Sequence, residues 1–139
     1  MKAFDTDVLT EILLGDAIYV ERAARIPLDE QVVPILVVEE MIRGRLNVIR
    51  QSEAGKARIA IDQAYRYFEQ TLQDLRQVKV LSYNSHAEAH FQILRKQKLR
   101  MGSQDLRIAA VCVVHSATLI SRNRRDFERV PGLRVEFWE

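Results

Sequence analysis

The chain has 139 residues, 47% of them hydrophobic and 29% charged, with a net charge of +2. That is enough to build one domain around a substantial core, so residues 1–139 are expected to form a single unit. No apolar run reaches the eighteen or so residues of a membrane span, MKAFDTDVL has no signal-like apolar region, and one cysteine, Cys112, excludes an intrachain disulfide; the cytoplasm is the expected compartment.

Lys2-Ala3-Phe4 reads as a short first strand, followed by Asp5-Thr6-Asp7 and an apolar-periodic helix that ends at Gly15. Asp5 then stands at the C-terminal end of a strand, where open α/β sheets build their sites; Thr6 and Asp7 also suit simple helix capping. Asp16–Ile26 has a second helical pattern closed by Pro27. The β-branched run Val32–Val38 suits a strand buried on both faces, with Pro34 expected near an edge or at the strand's beginning. It passes into a helix start at Glu39-Glu40. Neighbours on a helix differ by about 100°, so only one of these glutamates can face a given site.

Asn47–Arg76 reads as a long helical region broken near Ser52–Gly55. Its apolar stripe is Ile59, Tyr65, Phe68, Leu72 and Leu75, and packing is the expected role of Tyr65 and Tyr67 rather than stacking on bases. Val78–Tyr83 is a third strand. Asn84 caps the helix His86–Gln97, whose His86 and His90 are expected to be surface residues, because no further zinc ligands accompany them. Ser103 is expected to cap the next helix, with Asp105 in its first turn and Ile108, Ala109 and Cys112 on one small apolar face. Ala117–Ser121 is a fourth strand, ending in the polar loop 122–126, and Leu133–Trp138 alternates as an edge strand. Strands alternating with helices predict a three-layer α/β/α sandwich around a parallel sheet of about five strands.

Asp5, Glu40, Asp105 and Asp126 each follow a strand or open a helix, so a parallel sheet brings all four to one edge. Clustered carboxylates repel unless a cation neutralises them, and oxygen-only ligands select Mg2+ or Mn2+. From Ile93 to Arg129 nine Lys/Arg stand against three acids. Arg122, Arg124 and Arg125 are therefore candidates for the backbone of a nucleic acid, and Ser121 and Asn123 for holding waters or phosphate oxygens.

These residues carry a resemblance. Asp5-Thr6-Asp7-Val8-Leu9 resembles the D-T-N/D-V-L of PIN-domain ribonucleases. Val37-Val38-Glu39-Glu40-Met41-Ile42-Arg43-Gly44 is similar to their segment with a glutamate four residues before a glycine, which selects Glu40. Gly102–Ala110 resembles G-x-x-D-x-x-I-A-A, and Ser121–Phe127 with Pro131-Gly132-Leu133 and Trp138 resembles T-x-N-x-x-D-F…G-L…W. The subgroup resembled most is the VapC type, the toxin half of bacterial toxin–antitoxin pairs. The resemblance implies a PIN-like fold and a Mg2+- or Mn2+-dependent endoribonuclease. Asp5 and Asp105 would be the principal metal ligands, with Glu40 as a ligand or orienting water and Asp126 completing the site. Thr6, Ser121, Asn123, Arg122, Arg124 and Arg125 would support the metal site or the RNA. It also implies an RNA substrate, a small antitoxin partner and a homodimer, with no membrane association. Two departures are the Pro34-Ile35-Leu36-Val37 stretch, where a Ser or Thr is common, and Ser121 in place of threonine. The rival readings are a catalytically silent PIN-like module that binds nucleic acid or protein, and a phosphohydrolase of small esters.

Overall fold

The computed structural model describes residues 1–139. Five strands, β1 (Lys2–Phe4), β2 (Gln31–Pro34), β3 (Val80–Leu81), β4 (Thr118–Ser121) and β5 (Val135–Phe137), form one sheet in the order β3-β2-β1-β4-β5 with every pairing parallel. The helices between them are α1 (Thr6–Leu13), α2 (Ala17–Ala24), α3 (Ile35–Glu53), α4 (Ile61–Leu75), α5 (Ser85–Lys96), α6 (Ser103–Val114) and the one-turn α7 (Arg124–Phe127). The strand order steps outward from β1 to β3, then jumps back across β1 to β4. Right-handed crossovers therefore carry helices to both faces of the sheet, giving the expected α/β/α sandwich. The reversal between β1 and β4 opens a crevice at the C-terminal ends of those two strands.

The central strands are buried on both faces: Ala3, Phe4, Val32, Val33, Leu119 and Ile120 are all in the core. α6 is the most deeply packed helix, with Leu106 and Ile108–Cys112 buried, so its apolar surface extends well beyond the Ile108/Ala109/Cys112 face. Arg107 escapes by lying over the Phe91 ring at 4.4 Å. Three helices stop in the same way. After α1, α3 and α6 the chain turns through a left-handed residue, Gly15, Gly55 and Ser116. The amides that follow return to the last-turn carbonyls, as in Asp16 N to Glu11 O at 3.0 Å and Lys56 N to Gln51 O at 2.8 Å.

Several boundaries differ from expectation. The strand read over Val32–Val38 ends at Pro34, and Ile35–Val38 form the first turn of α3. Proline at the end of the strand has no amide to give the ladder, and with φ −59° it delivers the chain straight into a helix. Burial of Leu36 and Val37 accounts for the apolar run without a longer strand. β2 is an interior strand, so Pro34 marks its exit and not a sheet edge. The third strand contracts to Val80–Leu81, and beyond it the Tyr83 hydroxyl donates to Glu88 of α5 at 2.8 Å. The break in the long helical region covers residues 54–60. The cap of α6 is Gly102, in extended conformation, with Ser103 already helical. Tyr65 and Tyr67 are exposed, so the expected packing role fails for both; Tyr67 instead carries the Arg45 guanidinium 5.3 Å from its ring. His86 is exposed as expected, but His90 is half-buried, with a sealed Nε2 that has no partner.

Candidate active site

The crevice beside β1 and β4 is built from chain ends that the sheet holds in register. Asp5 follows β1 directly: its amide donates to Ile120 O of β4 at 2.9 Å, and its own carboxylate caps α1. One oxygen accepts from the Thr6 amide at 2.8 Å and the other from the Ser121 hydroxyl at 2.7 Å. Ser121, fully buried at the end of β4, in turn accepts from the Asn123 amide at 3.0 Å. Asn123 caps α7: its Oδ1 accepts from the Asp126 amide at 3.3 Å and its Nδ2 donates to Asp126 Oδ2 at 3.0 Å. The other oxygen of Asp126 accepts from Arg129, also at 3.0 Å. A continuous hydrogen-bonded line thus runs Asp5–Ser121–Asn123–Asp126.

The opposite wall comes from α3 and α6. The Thr6 hydroxyl donates to Glu40. Glu39 turns the other way, pairing with Arg43 at 2.6 Å and accepting from Gln104 at 2.8 Å. Gln104 also donates to Leu36 O at 3.3 Å and so ties the first turn of α6 to that of α3. This cross-link sets the position of Asp105, one residue further on. Asp105 is half-buried and its carboxyl is pushed up to about 6, first by burial and then by the charges of Asp5, Glu40, Asp126 and Asp7. Burial also raises Asp5 against the lowering effect of its two hydrogen bonds. The same field, behind a dominant desolvation, pushes the Cys112 thiol up to about 12. Asp5, Glu40 and Asp126 therefore all lie within electrostatic reach of Asp105.

Two of the three candidate arginines also make contacts within the chain. Arg122 pairs with Glu11 at 3.7 Å and lies over Tyr19, while Arg124 pairs with Glu139 at 2.7 Å and lies over Phe137. Both guanidiniums are engaged within the chain, and Arg125 alone of the three has no acidic partner.

The family model described as PIN domain matches residues 2–133. The chain belongs to the PIN-domain family. Among curated proteins it is 37% identical over 68 residues to Ribonuclease VapC2 of Haemophilus influenzae, covering 46% of this chain and 52% of that one. It is 32% identical over 65 residues to the tRNA(fMet)-specific endonuclease VapC of Salmonella typhimurium, covering 44% and 49%. Over 42 residues it is 40% identical to Ribonuclease VapC1 of Rickettsia felis, covering 30% and 31%. The aligned stretches thus span a third to a half of these relatives. Among solved structures, VapBC2 from Rickettsia felis bound to a DNA fragment from its promoter superposes with a TM-score of 0.75 at 17% identity, over 99% of this chain and 98% of that one. FitAB bound to an IR36 DNA fragment gives 0.77 at 18%, over 99% and 94%. At such identities the likeness establishes the fold.

In this PIN domain the donor set for a cation is oxygen only. No three acidic, histidine or cysteine groups converge closely enough to grip an ion directly. Oxygen donors are the kind that hard cations such as Mg2+ take. Asp5 could contribute to such a site, since each of its oxygens retains a lone pair beyond its single hydrogen bond. Three contributors to the PIN-domain site escaped the sequence reading. Asp7, read as a capping residue, adds its charge to the site. Arg129 was signalled only by its spacing of three from Asp126. Gln104 carried no signal, since its partners lie on a distant helix.

Proposed function

We propose that this PIN domain is an endoribonuclease dependent on Mg2+ or Mn2+, and that it is the toxin of a toxin–antitoxin pair. The observation that carries the reading is that the charges of Asp5, Glu40 and Asp126, from three separate elements, all act on Asp105 of a fourth, at the crevice where the strand order reverses. Similarity to VapC ribonucleases over part of the chain supports the same activity, and the VapBC structures of the same fold support a small antitoxin as partner. A homodimer in the cytoplasm completes the proposal; no helix is long and apolar enough to cross a membrane.

Asp5 and Asp105 would hold the cation. When bound, the cation polarises the phosphodiester and makes its water a stronger acid. Ser121 and the Thr6 amide fix the Asp5 carboxylate, leaving it no rotational freedom to lose. Thr6 holds Glu40 where it orients the attacking water and accepts its proton. Asp126, clamped by Asn123 and Arg129, adds negative charge at the far side of the crevice, and Arg125 is free to meet the RNA backbone.

The test is cleavage of total cellular RNA by purified protein in Mg2+, Mn2+ or EDTA, with Asp105→Asn in parallel. Metal-dependent cleavage that disappears in the variant is expected. Folded, partner-free protein that cuts nothing in either metal would refute the enzyme and favour a silent binding module. Hydrolysis of small phosphate esters without RNA cleavage would favour the phosphohydrolase.

A further inference from the structure

The outer face of α3 leads away from Glu40 into a groove of about 420 Å³ lined by Glu40, Arg43, Gly44, Leu46, Asn47 and Arg50. All are on one helix, and the groove exists because Gly44 leaves the helix bare at its centre. Nothing inside the chain explains that glycine. It lies in the interior of a 19-residue helix, its φ is not positive, and a Cβ built on it meets no atom within 4 Å. An interior glycine weakens a helix, and a position with open space and ordinary dihedrals is one where alanine would serve the fold better. A glycine of this kind marks a close approach by something outside the chain.

Charge identifies the visitor. Of the groove's lining residues Arg43 and Arg50 are basic and Glu40 is acidic, and Arg43 is paired with Glu39. Arg50 is exposed and none of the chain's ion pairs includes it. At 1.5 Å per residue, Asn47 lies about 10 Å and Arg50 about 15 Å along the axis from Glu40. A polyanion entering the crevice therefore meets a bare backbone, then an amide donor, then a free guanidinium. A second copy meeting this face symmetrically would instead set one unpaired Arg50 against another.

We propose that the Gly44 groove is an RNA-backbone subsite flanking the position of cleavage, with Gly44 admitting the sugar–phosphate chain and Asn47 and Arg50 binding its phosphates. The proposal rests on the ribonuclease reading and adds to it where the substrate runs. It also replaces the engaged Arg122 and Arg124 as the main path of the backbone.

The test is binding of a fluorescein-labelled single-stranded RNA and a labelled RNA hairpin in EDTA, followed by anisotropy over a range of salt. Wild-type protein, Gly44→Leu and Arg50→Glu are compared, with melting temperature and light-scattering mass measured on the same samples. Gly44→Leu is expected to raise the melting temperature, because leucine is the better helix former, yet to weaken RNA binding about tenfold or more at unchanged mass. Arg50→Glu is expected to weaken binding similarly and flatten the salt dependence by about 0.7 in log–log slope, one phosphate contact on a single strand. Equal affinity of wild type and Gly44→Leu would overturn the subsite while leaving the nuclease intact. A loss of affinity that accompanies a change of mass would overturn it in favour of a second copy. A wild-type chain that binds neither RNA would overturn the subsite, and the cleavage assay in Mg2+ or Mn2+ then decides the ribonuclease reading separately.

Discussion

Asp105 is the residue on which stability and chemistry pull in opposite directions. Its ordinary value is 3.8 and the fold pushes it to about 6, chiefly by burial and secondarily through four neighbouring acids. The folded chain thus holds this proton more tightly than the unfolded chain. In metal-free protein the contribution of Asp105 to stability is complete below about pH 4, is lost as pH rises through 6, and stays lost at neutral pH. Asp105→Asn removes the ionisation at nearly constant shape. Metal-free Asp105→Asn is therefore expected to melt a few degrees above wild type at pH 7 and level with it at pH 4, while losing metal-dependent cleavage. Equal melting temperatures at both pH values would mean the carboxylate is not strained by its surroundings. Conversely, Mg2+ should raise the melting temperature of the wild type at pH 7 more than that of the variant, since a ligand bound only by the folded state stabilises it.

At the scale of single elements, two asparagine caps look alike in sequence and do different work. Asn84 accepts from the Ala87 amide at 2.9 Å and serves α5 alone. Asn123 serves α7 and, through Ser121 and Asp126, the crevice. Asn84→Ala is expected to cost about 1 kcal/mol of stability, with cleavage per folded molecule unchanged. Asn123→Ala is expected to cost a similar amount and to slow cleavage as well. Urea midpoints and initial cleavage rates on the same preparations separate the two. Caps and apolar period made these helices legible in the sequence, and four acids at strand ends and helix starts made the crevice legible too. What lay beyond reading was set by partners distant in the chain. Val37 and Val38 have strand chemistry, yet Pro34 ends the ladder and the core accepts them from a helix. The ion pairs of Arg122 and Arg124 were not readable, because Glu11 and Glu139 come to them only through the fold. Tyr65 has helical spacing but faces solvent, because Phe68 and Leu75 supply the inward side of α4.

The whole molecule is fastened by its last residues. Trp138 is buried against Phe4 and Tyr19, with ring centroids 6.0 and 6.1 Å away, and its carbonyl accepts from the Tyr19 hydroxyl at 2.7 Å. Its amide donates to Ser121 O at 2.9 Å, and Lys2 pairs with Glu136 at 2.9 Å. The first strand, the second helix and the final strand thus meet at one indole. Trp138→Ala is expected to cost about 3–5 kcal/mol, a large part of the 5–15 kcal/mol typical of a domain. Chemical denaturation followed by circular dichroism would check this, and a loss below 1 kcal/mol would show that β5 is held by its ladder alone.

The bond between Ser121 and Asp5 joins residues 116 positions apart, and β1 has its β4 neighbour only when the far end of the chain exists. A ribosome making this protein delivers Asp5 first and Ser121 on the order of ten seconds later, at 5–20 residues per second. During that interval the emerging chain has no partner for the central edge of β1 and no clamp on its first carboxylate. Translation order therefore delays the clamp on Asp5 until the fourth strand has been made.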